Sequence, residues 1–209
     1  MRKVLIHTFM TLDGAAVVPE YAHDADSDRA DEGPEMWRTR IDSIDTLLLG
    51  RKTYELWAGY WPGQQNDPSA SPFQKRFSRF ADSVEKVVFS KTLKSAEWPK
   101  SRIVTGDLGE EIARLKSLPG KDILLGGGPR LAQSFLEQDL ADELFITMFP
   151  TIVGSGKPFF HMVGNPDDTG DFVPLGAPGR HDFTLRAARP IQDGAVLLHY
   201  ARASPPASP

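Results

Sequence analysis

Asp122-Ile-Leu-Leu-Gly-Gly-Gly-Pro-Arg-Leu131 is a short apolar run that breaks on three glycines and passes at once into a helix start. Ile123, Leu124 and Leu125 have the make-up of a buried strand. Gly126, Gly127 and Gly128 have no side chains, so the backbone can turn sharply there and a ligand can approach the main chain closely. Pro129 suits the first helical position, and Leu131, Phe135 and Leu136 form an apolar helix stripe. The unpaired N–H groups of such a helix start point back over the glycines, where an anion is welcome. Two readings stand: a tight strand-to-helix connection of any α/β domain, or a phosphate cradle.

Two further strand ends bear on that choice. Thr46–Leu49 reads as a buried strand running into Gly50-Arg51-Lys52-Thr53-Tyr54, a glycine, two bases and a hydroxyl entering a helix. Val84–Phe89 reads as another strand, and it ends in Ser90-Lys91-Thr92. Solvated basic residues explain each place singly. Open α/β sheets, however, bind ligands at the carboxyl ends of their strands, and a ligand touching all three places would be long and polyanionic, as a dinucleotide is. No G-x-G-x-x-G follows the first strand, so a nucleotide fold other than the doubly wound one is implied.

The remaining chain supplies a frame for these ends. Val4–Met10 reads as a first buried strand, with His7 a hydrogen-bonded core residue, and it runs into the turn Leu12-Asp13-Gly14. Glu20–Glu35 is an acidic loop of the length of a lid. Its acidic spacing resembles a calcium loop, but Arg29 stands where the sharp turn needs glycine. Pro34 opens a helix through Ser43, Trp57, Tyr60, Trp61 and Pro62 close another, and Phe73, Phe77 and Phe80 mark a third. Asp107 and Glu110 cap a fourth helix, with Ile112 and Leu115 inward. Asp142–Pro150 reads as a strand, and the Gly and Lys of Val153–Pro158 have the wrong spacing for a P-loop. Residues 181–189 and 195–201 form an antiparallel hairpin around Gln192-Asp193-Gly194, with His199 structural.

Composition narrows the function classes. The 209 residues suffice for one domain over residues 1–203, with Ser204–Pro209 as a disordered tail. The absence of cysteine excludes disulfides, thiolate metal sites and a cysteine nucleophile, and fits a reducing cytoplasm. A formal charge of −4 argues against nucleic acid as partner. Asp13 comes too early for a signal-peptide core, and no apolar run has membrane-spanning length. The expectation is a cytoplasmic α/β domain with a mixed, mostly parallel central sheet, flanked by helices and closed by the C-terminal antiparallel hairpin.

Gly50-Arg-Lys-Thr-Tyr-Glu55, Val88-Phe-Ser-Lys-Thr92 and Gly126-Gly-Gly-Pro-Arg-Leu131 resemble, in order and spacing, the three cofactor motifs of the dihydrofolate-reductase-like superfamily. Leu140-Ala-Asp-Glu-Leu144, Pro150, Gly154-Ser-Gly156 and the opening Leu12-Asp-Gly14 are similar to the reductase domain of the bifunctional riboflavin-biosynthesis deaminase/reductase. The resemblance spans nearly the whole chain short of its tail. It implies a single dihydrofolate-reductase-like domain, NADPH as cofactor, a pteridine- or aminopyrimidine-like heterocycle as substrate, and a homodimer, which apolar strands such as Leu144–Phe149 could serve. The deaminase half has neither the room nor the cysteines it would need here.

Within the implied site, Arg51, Lys52 and Lys91 pair with the 2′-phosphate, while Gly127, Gly128 and the following helix face the pyrophosphate. Gly50, Thr53, Ser90, Thr92, Gly126, Arg130 and Leu131 complete the cofactor motifs. Asp13 matches the riboflavin-type substrate-contacting aspartate, or else caps its own turn. Glu35 lies near where the folate enzymes place their pterin-binding acid, or else is a first-turn glutamate favoured by the helix dipole. Two other functions stay open: a non-catalytic NADPH-binding or regulatory protein, and dihydrofolate reduction itself.

Overall fold

A computed structural model describes residues 1–17, 40–156, 158–160, 181–191 and 194–203. The acidic segment with its lid and calcium-loop readings, Glu35, most of the helix expected from Pro34, the Gln192-Asp193 pair and the tail Ser204–Pro209 lie outside the described residues.

Apolar runs separated by helices become parallel strands, because only a crossover returns the chain to the same end of a sheet. The strands are β1 (Val4–Thr11), β2 (Ile44–Gly50), β3 (Glu85–Phe89), β4 (Ser101–Val104), β5 (Asp122–Leu125), β6 (Glu143–Phe149), β7 (Phe183–Pro190) and β8 (Val196–Arg202). They form one sheet in the order β4-β3-β2-β5-β1-β6-β8-β7. Every pairing from β4 through to β6 is parallel, and β8 and β7 close the sheet antiparallel.

Helices α1 (Arg51–Gln64), α2 (Pro72–Ser83), α3 (Leu108–Ser117) and α4 (Pro129–Glu137) cover both faces. Alternation along the strands divides the core accordingly. Leu5, Leu47, Leu49, Val88 and Leu124 pack with Tyr54, Trp61 and Phe77 of α1 and α2. Val4, Ile6, Leu48, Val87 and Ile123 pack with Ile112 and Leu115 of α3 and Ala132 and Phe135 of α4. The strands are buried on both faces, which is why they read as unbroken apolar runs.

One boundary differs from the sequence reading. Helix α1 does not stop at its aromatic cluster but carries Pro62 in its last turn as far as Gln64. Trp61, buried and 4.3 Å from the Phe77 ring, gives that turn a packing gain that offsets the hydrogen bond proline cannot donate. Helix α2 starts with a full capping box, in which the Gln74 N–H donates to Ser71 Oγ and the Ser71 N–H to Gln74 Oε1. The strand offered for dimer contact, Leu144–Phe149, lies inside the sheet between β1 and β8 with Leu144, Phe145 and Ile146 buried, so its apolar character serves the core.

Charge at the beginnings of the strands is bound up internally. Arg2, 7% exposed, donates to the Lys121 carbonyl at 2.7 Å, to Thr46 Oγ1 at 2.6 Å, and to Asp45. Buried Glu143 accepts from Lys3 Nζ at 2.6 Å and sits 3.0 Å from His199 Nε2, whose ring stacks on Phe145. Lys86, fully buried, donates to the carbonyls of Ala81 and Val84 and lies 4.6 Å from the centre of the Trp98 ring; burial pulls its pKa down to about 8.

Candidate functional site

Parallel pairing brings the three glycine and base motifs into one row. In register, Gly50 at the end of β2 pairs with Phe89, the last residue of β3, and Leu48 pairs with Leu125, the last residue of β5. Neighbouring strands in such a sheet lie about 5 Å apart, so Ser90, Gly50 and Gly126 follow one another along a single edge. On the other side of β5 comes β1, then β6, so Asp13 and the segment after Phe149 continue the same row.

The first and third motifs touch. The Gly126 N–H donates to the Leu48 carbonyl at 3.1 Å. A Cβ on Gly126 would stand 2.9 Å from Cη2 of Trp57 in α1, closer than real Cβ contacts allow. One on Gly127 would stand 3.0 Å from Leu131 Cδ2, and one on Gly128 would come within 4.0 Å of Thr53 Oγ1. Glycine at 126 is therefore a packing requirement, which lets α1 close on the turn, while a side chain at 127 would have to push Leu131 aside by a few tenths of an ångström. Gly128 is the N-cap of α4 and Pro129 its first residue; no side chain caps this end, so backbone N–H groups are presented there.

Cations lie along the row. Lys52, Lys91 and Arg130 are exposed and have no ion-pair partner among the described residues. Arg51 Nη1 lies 3.0 Å from Glu55 Oε1 in an exposed pair one helical turn apart, which an incoming phosphate can displace. Ser90 is spent partly on its own loop, its hydroxyl oxygen accepting from the N–H groups of Thr92 at 3.2 Å and Leu93 at 2.9 Å.

Asp13 does structural work. Its carboxylate accepts from the Thr11 hydroxyl and from the Gly154 N–H at 2.8 Å, and these bonds hold its pKa below the ordinary carboxylate value. With the bond from the Leu12 N–H to the Thr151 carbonyl at 2.9 Å, the loop after β1 is braced to the loop after β6. Gly14, at φ +79°, supplies the left-handed residue that this turn requires.

Residues 2–175 match the RibD C-terminal domain family. The chain belongs to that family. It is 32% identical over 160 residues to the uncharacterised protein YyaP of Bacillus subtilis, covering 76% of this chain and 80% of YyaP. Among solved structures, a Shewanella protein provisionally named for riboflavin biosynthesis superposes with a TM-score of 0.69 at 20% identity, covering 97% of this chain and 99% of that one. Dihydrofolate reductase from Enterococcus faecalis, complexed with NADP(H), superposes with a TM-score of 0.54 at 15% identity, covering 97% of each chain. The RibD C-terminal domain member described here thus has the dihydrofolate-reductase-like α/β fold expected from its motifs.

Some of this neighbourhood had no sequence signal of its own. On the face of β1 and β6 that carries Thr11, the rings of Phe9 and Phe149 stack at 6.3 Å. Behind them His7 is buried 3.3 Å from Thr147 Oγ1, and burial lowers its pKa to about 3, so it is a neutral core residue. Trp57, readable as core or pocket wall, is the residue that fills the space under Gly126.

Proposed function

We propose that this protein is an NADPH-dependent reductase of an aminopyrimidine- or pteridine-like heterocycle, of the kind that riboflavin biosynthesis uses. The supporting observation is the row itself: Gly50–Thr53, Ser90–Thr92 and Gly126–Leu131 meet on adjacent strand ends. Membership of the RibD C-terminal domain family supports the same reading. The residues suit the cofactor, because the helix after the glycines starts without a side-chain cap and three exposed cations along the row lack ion-pair partners among the described residues.

In this reading the N–H groups of Gly127, Gly128 and the start of α4 hold the pyrophosphate, with Arg130 at the rim. Lys52, Lys91 and Arg51 take the 2′-phosphate, whose charge distinguishes NADPH from NADH. Gly50 and Leu131 pack the turn, and Thr53, Ser90 and Thr92 offer hydroxyls along the edge. The reduced nicotinamide, when bound, supplies hydride chemistry. The chain's own contribution is to hold a planar acceptor in line and keep water away from it. Asp13 stands on the substrate side of the row, and Glu35 is proposed for the same side. The protein works in the cytoplasm as a homodimer.

Titration with NADPH and NADH, followed by a screen of the riboflavin-pathway aminopyrimidine and dihydropterins for loss of reduced-nicotinamide absorbance, tests this. Tighter binding of NADPH and turnover with one acceptor class are expected. Failure of both nucleotides to bind would end the proposal. The occupied carboxylate of Asp13 favours one second reading, an NADPH-binding protein without turnover, in which binding occurs but every acceptor fails.

A further inference from the structure

A cavity of about 540 Å³ opens at the opposite edge of the sheet, where β2 and β5 begin. Its walls are the 3-10 turn Ile41–Ser43, the last turns of α2, and Lys121. At its base the partly exposed Phe80 supplies the apolar surface, backed by Ile44 and Val84, which are 3% and 7% exposed. The rim carries Arg76, Arg79 and Lys121 against Asp42 and Asp45.

Both rim carboxylates are already engaged. Asp45 is bound by buried Arg2 and by the Lys121 N–H at 2.7 Å. The Asp42 carboxylate holds Arg76 at 3.1 Å, and its carbonyl accepts from Lys121 Nζ at 2.7 Å. Arg79 is left without an ion-pair partner among the described residues, so the rim has a surplus of positive charge over an apolar floor. The volume is within the range of roughly 300–1,000 Å³ typical of small-molecule sites. A simple inorganic ion would gain nothing from the floor, and a neutral apolar molecule nothing from the guanidinium.

We propose that this cavity is a second small-molecule site, which takes an amphipathic anion: a small apolar body at Phe80, with a carboxylate, phosphate or sulfonate on Arg79. The planar guanidinium suits such groups because its donors pair with two oxygens at once. Strand β2 runs its whole length, about 20 Å, between this cavity and Gly50, so the two sites fill independently.

Anilinonaphthalene sulfonate is a suitable probe, titrated against the full chain by fluorescence and, for stoichiometry, by calorimetry. One saturable site is expected, undisturbed by saturating NADP⁺ and weakened by rising salt. Arg79→Glu should lower probe affinity by about tenfold, as should Lys121→Glu on a separate element, while Arg79→Lys retains most of it. Glu137→Ala, an exposed change on α4 away from both sites, should leave probe affinity as it is. Circular dichroism and melting curves establish that each variant is folded, since the dye also binds loosened chains. Displacement of the probe by NADP⁺, or equal affinity in the folded Arg79→Glu and Lys121→Glu variants, overturns the proposal.

Discussion

At the starts of β1, β3 and β4, Arg2, Lys3, Lys86 and Arg102 each give their charge to a partner within the fold, whereas beyond the ends of β2, β3 and β5 the cations Lys52, Lys91 and Arg130 have no such partner among the described residues. The difference separates two uses of the same residue types. A buried cation is tolerable only where hydrogen bonds and counter-charge compensate its lost hydration, so Arg2 and Lys86, the two buried members of the first group, hold strands and helix ends together. An exposed cation beside uncapped helix N–H groups adds little to stability and leaves its field for something from solution. Substitutions at the two edges should therefore fall on different measurements.

The largest effect belongs to Arg2→Met, which keeps the bulk but leaves Asp45, Thr46 and two backbone carbonyls without their donor. A loss of about 3 kcal/mol in urea denaturation is expected, with NADPH affinity of the folded protein changed by less than about twofold. Equal damage to affinity and stability would break the contrast between the edges.

Next comes His7, midway between the edges. Its buried imidazole is neutral down to about pH 3, while in the unfolded chain it takes a proton below 6.5. The unfolded state therefore binds more protons across that window, and stability falls as pH falls through it. His7→Gln should remove this slope, narrowing the loss between pH 6.5 and about pH 5 by about 2 kcal/mol. Identical acid limbs for parent and variant would assign the sensitivity to other groups.

The division between the edges was only partly legible in the amino-acid order. Strand and helix positions were, because runs such as Leu47–Leu49 and Ile123–Leu125 are apolar at every position and the stripe Phe73, Phe77, Phe80 has helical spacing. Strand order was not. Nothing local in Ile44–Gly50 says that β5 will pair with it across a gap of more than seventy residues, since parallel pairing is settled by which faces the helices can cover. The glycine triplet announced a turn, but its reason, Trp57 pressing from α1, is a tertiary contact. Asp13 was readable as turn cap or substrate contact. Its bond to Gly154, about 140 positions away, is a brace between loops that neither reading contained, and the substrate contact is left to experiment.

At the edge that carries Gly50, Ser90 and Gly126 the expected changes are smaller and confined to binding. Arg51→Ala with Lys52→Ala should weaken NADPH by about tenfold and NADH hardly at all, with an unchanged denaturation midpoint. Loss of affinity for both nucleotides alike would move these side chains from the 2′-phosphate to the pyrophosphate, or away from the cofactor altogether.

The smallest and most discriminating change is Asp13→Asn. The native carboxylate accepts from Thr11 and Gly154 and has a lowered pKa, so the brace it provides is complete near neutrality and is lost as pH falls through the folded-state value. Asparagine keeps one oxygen for the Gly154 N–H but no charge, and alanine keeps neither. Amide exchange at Gly154 should rise strongly in Asp13→Ala and only slightly in Asp13→Asn. If turnover follows exchange, falling in the alanine variant alone, the residue acts by holding the two loops in register. If turnover collapses in Asp13→Asn while Gly154 stays protected, the negative charge itself meets the substrate, and this end of the row belongs with the ligand-facing cations after all.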